Sequence, residues 1–347
     1  MRNFGSILYL LCASLLSVWC AAVVITPPPP QFESVPRPER VELLFVGDVM
    51  AHSPQVTVAK RGNGYDFTPC FRYVKPIFEA ADCVVANLET TLSNTPPYSG
   101  YPCFTAPAAL ADALADAGVD IAVTANNHSL DAGSVGVNRT LELLRNRGLA
   151  AVGTTPQSVL RFERKGVKFA IMAYTYGTNG IPLPDGVSVH KIDTLQMKRD
   201  LQSAADADCR IAFLHWGTEY SHRPNRQQRE LADFLHRAGC QVVIGSHPHT
   251  VQRAECSKNA VTVYSLGNFI SNQRMRYSDG GVMAKVTVEK GADGCQFWLD
   301  ILPVWVRKRD YAVIPQSVVE SVCLTADERA AADLFFADTR KIFTSNF

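Results

Sequence analysis

Five histidines, His52, His128, His215, His247 and His249, stand in or beside short polar motifs that directly follow apolar runs. Gly47-Asp48 comes after VELLFV, Asn87-Leu88-Glu89 after CVVA and Asn126-Asn127-His128 after IAVTA; His215-Trp216-Gly217 follows CRIAFL, and Gly245-Ser246-His247-Pro248-His249 follows CQVVI. Carboxylates, an amide oxygen and imidazoles in one set suit a divalent transition metal, Mn, Fe or Zn, and the lack of any CxxC pair argues against a thiolate site. The candidate ligands are Asp48, His52, Glu89, Asn127, His215, His247 and His249, with room for two ions. Such a pair, about 3.5 to 4 Å apart, clamps a phosphoryl group and lowers the pKa of a water between them. His247 and His249 are expected on one side of an extended segment fixed by Pro248, so that both imidazoles converge. Each residue also has a plainer reading. Asp48 could cap a turn, Asn126 and Asn127 could serve left-handed backbone, and Glu89 could be an ordinary solvated charge.

The elements that must carry these motifs are legible from periodicity. Short β-rich runs alternate with helical patterns such as PAALADALADAG, SVGVNRTLELLRNRG and NRQQRELADFLHRAG, and Gly118, Gly148 and Gly239 punctuate helix ends. That rhythm predicts an α/β domain in which strand ends deliver polar groups to a common rim, where loops are supported by rigid elements. Residues 281–306 read as a strand pair around a Gly-Ala-Asp-Gly turn, and 325–343 as a closing amphipathic helix. The expected organisation is a leader or anchor over 1–25, a Pro-rich linker over 26–40, one large domain over 41–310 and a C-terminal extension over 311–347.

Composition limits the partners. Lys and Arg number 34 against 33 acids, a net charge of +1 that gives no polybasic field for nucleic acid, so anions must be met locally. Arg223, Arg226, Arg274 and Arg276 lie in loops near the rim and could do so. The uncharged run Phe4–Ile25, after Arg2 and before a proline tract, reads as an export signal or an anchor. Cleavage after Ala22, lipid attachment at Cys20 and retention all remain open. Of the eight cysteines beyond the leader, Cys83, Cys209 and Cys240 begin apolar runs and read as buried thiols, while Cys70 and Cys103 in Pro-rich loops are the best candidates for a bridge.

GDVM at 47, ANLE at 86, TANNH at 124 with Asp131 and Gly133 behind it, HWGTEY at 215, GSHPHTVQ at 245 and SLGNF at 265 together resemble the bacterial capsule-synthesis CapA family, of the poly-γ-glutamate type. That family is itself similar to the calcineurin-like metallophosphatases. The resemblance implies a metallophosphatase-like sandwich of mixed β-sheets flanked by helices. It implies Asp48 and His249 on one metal, Asn127, His215 and His247 on another, Glu89 bridging, and His128 as proton donor. Two departures matter: Met50 stands where a histidine is expected, with His52 as a substitute ligand, and the bridging carboxylate comes from Asn-Leu-Glu. Trp216, Glu219 and Tyr220 extend the histidine motif and are expected as a substrate wall, with packing the alternative for Trp216. The implied function is an exported metal-dependent phosphoesterase of capsule synthesis that uses a metal-activated water in the periplasm or cell envelope. Its substrate would be capsule polymer or a phosphorylated envelope component, and its partners membrane-bound capsule synthesis or export proteins. The alternatives are a non-hydrolytic component of capsular polymer export or attachment, and a scaffold that has lost its metal.

Overall fold

The computed structural model describes residues 39–344; the expected leader, and all of the linker but its last two residues, lie outside them. The first strand, Glu39–Val49, is buried on both faces, as a near-continuous apolar run requires. Val41, Leu43 and Phe45 point to one core, and Leu44 and Val46 to another. Cys83–Leu88, Ile121–Val123 and Ala150–Val152 follow it in parallel register, and Gly280–Gly291, Gly294–Val306 and Val313–Pro315 extend the sheet antiparallel on its other side. Asn268–Ile270 pairs parallel with the end of the first strand.

A second, six-stranded sheet has Val261–Val263, Val242–Ser246, Cys209–His215 and Val167–Thr175 in parallel, with Ala254–Cys256 and Val159–Arg164 antiparallel at its edges. Phe169, Ile171 and Ala173 meet Leu43, Phe45 and Val85 between the sheets, while Ala170, Met172 and Tyr174 turn outward. Helices Ala109–Ala117 and Gly133–Arg145 cover the outer face of the first sheet through Leu110, Leu114, Leu143 and Leu144. Thr194–Ser203 and Arg226–Arg237 cover the second through Met197, Leu201, Ala232 and Leu235. The layers therefore run helix, sheet, sheet, helix, the α/β sandwich that the resemblance implies. The closing helix, Ala326–Thr344, buries Phe335 and Phe336 in the core shared by the two sheets.

Two glycines let the sheets meet at the rim. A Cβ on Gly47 would lie 2.0 Å from the Gly267 carbonyl oxygen, and one on Gly245 would lie 2.1 Å from that of Tyr264. Through this clearance the segment from Tyr264 to Asn268 crosses from one sheet to the other. Leu266 donates its N–H to Gly245 O at 3.0 Å, and Asp48 donates its own to Gly267 O at 3.1 Å.

The expected Cys70–Cys103 bridge does not form. Cys70 is buried, Cys103 is exposed, and all eight described cysteines are free thiols. The Cys70 side chain turns inward, its Sγ 3.7 Å from the Asp310 carbonyl oxygen. Cys83, Cys209 and Cys240 are buried, as their apolar surroundings predict.

Candidate metal centre

The parallel strands end at one place. Asp48 sits where the first strand shifts register against Cys83–Leu88, and this bulge sets it opposite Asn87. Asn87 donates from Nδ2 to Asp48 Oδ1 at 2.7 Å, and His249 Nδ1 lies 3.1 Å from Asp48 Oδ2 and 3.1 Å from Asn268 Oδ1. On the other side, His215 Nε2 is 2.8 Å from Asn127 Oδ1 and 3.4 Å from Glu89 Oε1, while its Nδ1 rests 2.9 Å from Ser246 Oγ. The His215 and His247 rings are 4.7 Å apart. Asp48, Glu89, Asn127, His215, His247 and His249 are thus gathered and buried together.

Their ligand atoms fall into two groups. Glu89, His215 and His247 form one and Asp48, Glu89 and His249 the other, each with atoms within 4.8 Å of one another. Glu89 belongs to both. Its two oxygens and His247 Nδ1 are buried without any hydrogen-bond partner. Buried polar atoms are otherwise almost always satisfied, and a bare carboxylate is the costliest exception. A cation between the two groups would satisfy all three atoms, so the donor set fits a divalent metal.

The electrostatics agree. Burial, then the charge of Asp48, holds the Glu89 carboxyl well above its ordinary range. Burial would raise Asp48 too, but the hydrogen bond and charge of His249 outweigh it and keep that carboxyl low. Burial pushes His215 down to about 3 and His247 to about 2, so both present neutral imidazoles at pH 7. For His249 burial is outweighed by Glu89 and Asp48, which lift it to about 9.

Several expectations need correction. His247 and His249 do not lie on an extended segment: their φ values of 97° and 54° place both in the left-handed region, and the chain bends around Pro248. Backbone strain of this kind in side-chain-bearing residues persists only where the surroundings impose it, and it concentrates at functional sites. His52 joins neither group. It caps the short helix Ser53–Ala59, with its Nδ1 2.9 Å from Gln55 Oε1 and 3.3 Å from the Asn272 nitrogen. Trp216 packs on the helix-covered face of the second sheet and donates its indole N–H to Tyr264 O at 2.9 Å, so packing is its role. Glu219 and Tyr220 are exposed on the following turn, and the Tyr220 ring lies 6.0 Å from His249.

His128 is held otherwise than the ligand candidates. Its Nδ1 lies 2.7 Å from Asp131 Oδ2, and its ring meets Phe104 edge-on at 4.7 Å. Burial would lower its pKa, but the Asp131 hydrogen bond and the charges of Glu89 and Asp131 raise it. Sequence reasoning assigned no role to Asn87 or Ser246, inside the quoted motifs, or to Asp131, just behind one, and read Asn268 as a turn residue. It missed Tyr176 altogether, whose half-exposed ring lies 4.5 Å from that of His247 at the end of strand Val167–Thr175. An aromatic directly after an apolar run was the available signal.

Known proteins are similar to this chain. The PGA biosynthesis protein CapA of Bacillus subtilis (strain 168) is 26% identical over 272 residues, covering 72% of this chain and 68% of that protein. The capsule biosynthesis protein CapA of Bacillus anthracis is 26% identical over 252 residues, covering 68% of this chain and 61% of that one. Among solved structures, a 5'-nucleotidase from Candida albicans SC5314 superposes with a TM-score of 0.47 at 13% identity, over 87% of this chain and 58% of that one. A family model described as bacterial capsule synthesis protein PGA_cap matches residues 42–273, and by that match the chain belongs to the bacterial capsule synthesis protein family.

Proposed function

We propose that this capsule-synthesis protein is a metal-dependent phosphoesterase. The observation that supports the reading most is Glu89, a buried carboxylate whose oxygens accept no hydrogen bond and which is shared by two groups of ligand atoms. Asp48 and His249 would hold one ion, Asn127, His215 and His247 the other, and Glu89 would reach both. Oxygen and imidazole donors suit Mn, Fe or Zn. Ions bound there would supply Lewis acidity toward a phosphoryl oxygen and a nucleophile drawn from water at neutral pH. The protein's own groups do the rest. Asp131 takes the Nδ1 proton of His128 in a hydrogen bond, which fixes the tautomer and leaves Nε2 to deliver a proton to the leaving oxygen. Tyr176 and Tyr220, both part-exposed, flank the histidines and would contact whatever carries the phosphate.

The first test is metal content. Purified protein should retain a transition metal through dialysis, His247→Ala and Asn127→Ala should each retain less, and added manganese should support hydrolysis of simple phosphate esters. Unchanged metal content in both variants would remove the assignment. A second reading draws on Met50, which is buried and offers no imidazole, and on His52, which stays outside both groups and leaves the Asp48 side with three candidate ligands. On that reading the protein binds metal without hydrolysis and serves capsular polymer export or attachment. Full metal content with no turnover across a broad ester panel would decide for it.

The substrate we favour is capsule polymer or a phosphorylated envelope component, with membrane-bound capsule synthesis proteins as partners. Export across the cytoplasmic membrane is supported by the apolar run Phe4–Ile25 and the proline tract behind it. Among the described residues no helix is long and apolar enough to cross a membrane. The intact mass of the protein from its native host should show either cleavage after Ala22, a lipid on Cys20 or an uncleaved anchor. A full-length, unmodified chain recovered from the cytosol would refute export.

A further inference from the structure

Beside the centre, a cavity of about 430 Å³ opens between the turn after Tyr220, the segment after His249 and the last helix. Its walls carry Arg223, Arg253, Arg276, Lys341 and His222 around the ring of Tyr277, with Asp338 the carboxylate among them. Four cationic side chains therefore face one acid, in a chain whose net charge is only +1. Asp338 is itself engaged twice, by the Arg276 guanidinium at 3.1 and 3.2 Å and by Lys341 at 3.3 Å. Arg253 is held by Glu255 at 2.6 Å. Two acids thus orient three cations, Arg253, Arg276 and Lys341.

The cavity is also built onto the centre. Ser221 O accepts from Thr250 Oγ1 at 2.9 Å and from Gln252 Nε2 at 2.8 Å, which pins the turn bearing His222 and Arg223 to the segment that leaves His249. Tyr277 has φ 75°, a left-handed conformation that a bulky residue adopts only under constraint. Its ring packs against His222 at 4.1 Å and under the Arg276 guanidinium at 4.8 Å. Guanidinium forks recognise carboxylate and phosphate oxygens in pairs, and the volume falls in the usual range of ligand pockets, roughly 300 to 1,000 Å³.

We propose that this cavity is a second binding site, for a ligand with at least two anionic groups, carboxylates or phosphates, lying next to the metal centre. The proposal stands apart from hydrolysis, because it requires only the cationic walls. Isothermal titration of the full-length protein, dialysed free of divalent ions, tests it with inorganic pyrophosphate and with citrate. At least one probe should bind, with an affinity that falls as salt rises. Arg276→Gln/Lys341→Gln should weaken binding at least tenfold. Because those two residues hold Asp338 on the last helix, Arg223→Gln/Arg253→Gln on the opposite wall is the second variant, and it should weaken binding comparably with an unchanged circular dichroism spectrum. His247→Ala should bind as wild type does. Tighter binding of pyrophosphate would identify phosphates as the natural groups, and tighter binding of citrate carboxylates. The proposal is overturned if neither probe binds, if binding survives both double variants, or if it is lost in His247→Ala.

Discussion

Glu89→Gln should reverse the order of stability between mutant and wild type when metal is added. In metal-free protein the folded Glu89 carboxyl titrates well above its ordinary value, because burial and Asp48 disfavour its charge. Below the unfolded value the group is neutral in both states and costs nothing. As pH rises toward the folded value, the unfolded chain ionises while the folded one stays protonated, so stability falls. Glutamine keeps the shape and removes this loss. At pH 8, without metal, the variant should therefore be more stable than wild type, and the gap should close toward pH 4.5. With manganese at a hundredfold excess over its Kd, mass action stabilises wild type by about 2.7 kcal/mol. The variant, lacking the carboxylate common to both groups, should gain little. Chemical denaturation at the two pH values, with and without manganese, reads all four quantities. Equal gains from manganese in both proteins would show that Glu89 is not a ligand.

His128→Ala should lower phosphoesterase turnover by roughly 10²- to 10⁴-fold while leaving metal content intact. The loss should be smaller for esters with good leaving groups, which need little protonation. Its pKa is raised, so the protonated form persists above the usual histidine value and is lost as pH climbs through the raised one. Wild-type turnover limited by proton donation should fall along that alkaline limb, and the limb should be missing from the variant. Asp131→Asn, which keeps the side chain but removes the charge 2.7 Å from Nδ1, should shift the limb to lower pH. Metal analysis of the same preparations separates the roles. If His128→Ala loses metal in step with rate, the histidine is a ligand and the division of labour fails.

Much of this was written locally. The strands and helices follow from periodicity, since Val41, Leu43 and Phe45 alternate with Leu44 and Val46, and both sets are buried. The gathering of Asp48, Glu89, Asn127, His215, His247 and His249 followed from their common place after strand runs. What the sequence hid depends on partners distant in the chain or on backbone angle. Nothing local sets Asn268 against His249, because that contact needs the crossing segment and the clearance at Gly47 and Gly245. His52 has the right type and spacing, but the claim of Gln55 on its ring is visible only once the helix is capped. Trp216 lies one residue beyond His215, and the alternation of a strand sends it to the opposite face. The bend at His247 and His249 escaped notice because left-handed backbone is rarely expected of residues other than glycine.

The order in which the ribosome makes these parts has its own consequence. Asp48, Glu89 and Asn127 are complete before His215, His247 and His249 exist, and the first strand finds its antiparallel neighbour only when Gly280–Gly291 has been made. A nascent chain short of that strand holds an open sheet edge and, until the late histidines appear, acidic groups with no imidazoles opposite. Contacts so far apart in sequence form slowly and late. On the proposed reading, loading of the centre would therefore follow completion of these late strands, and the compartment in which the chain folds would supply the metal.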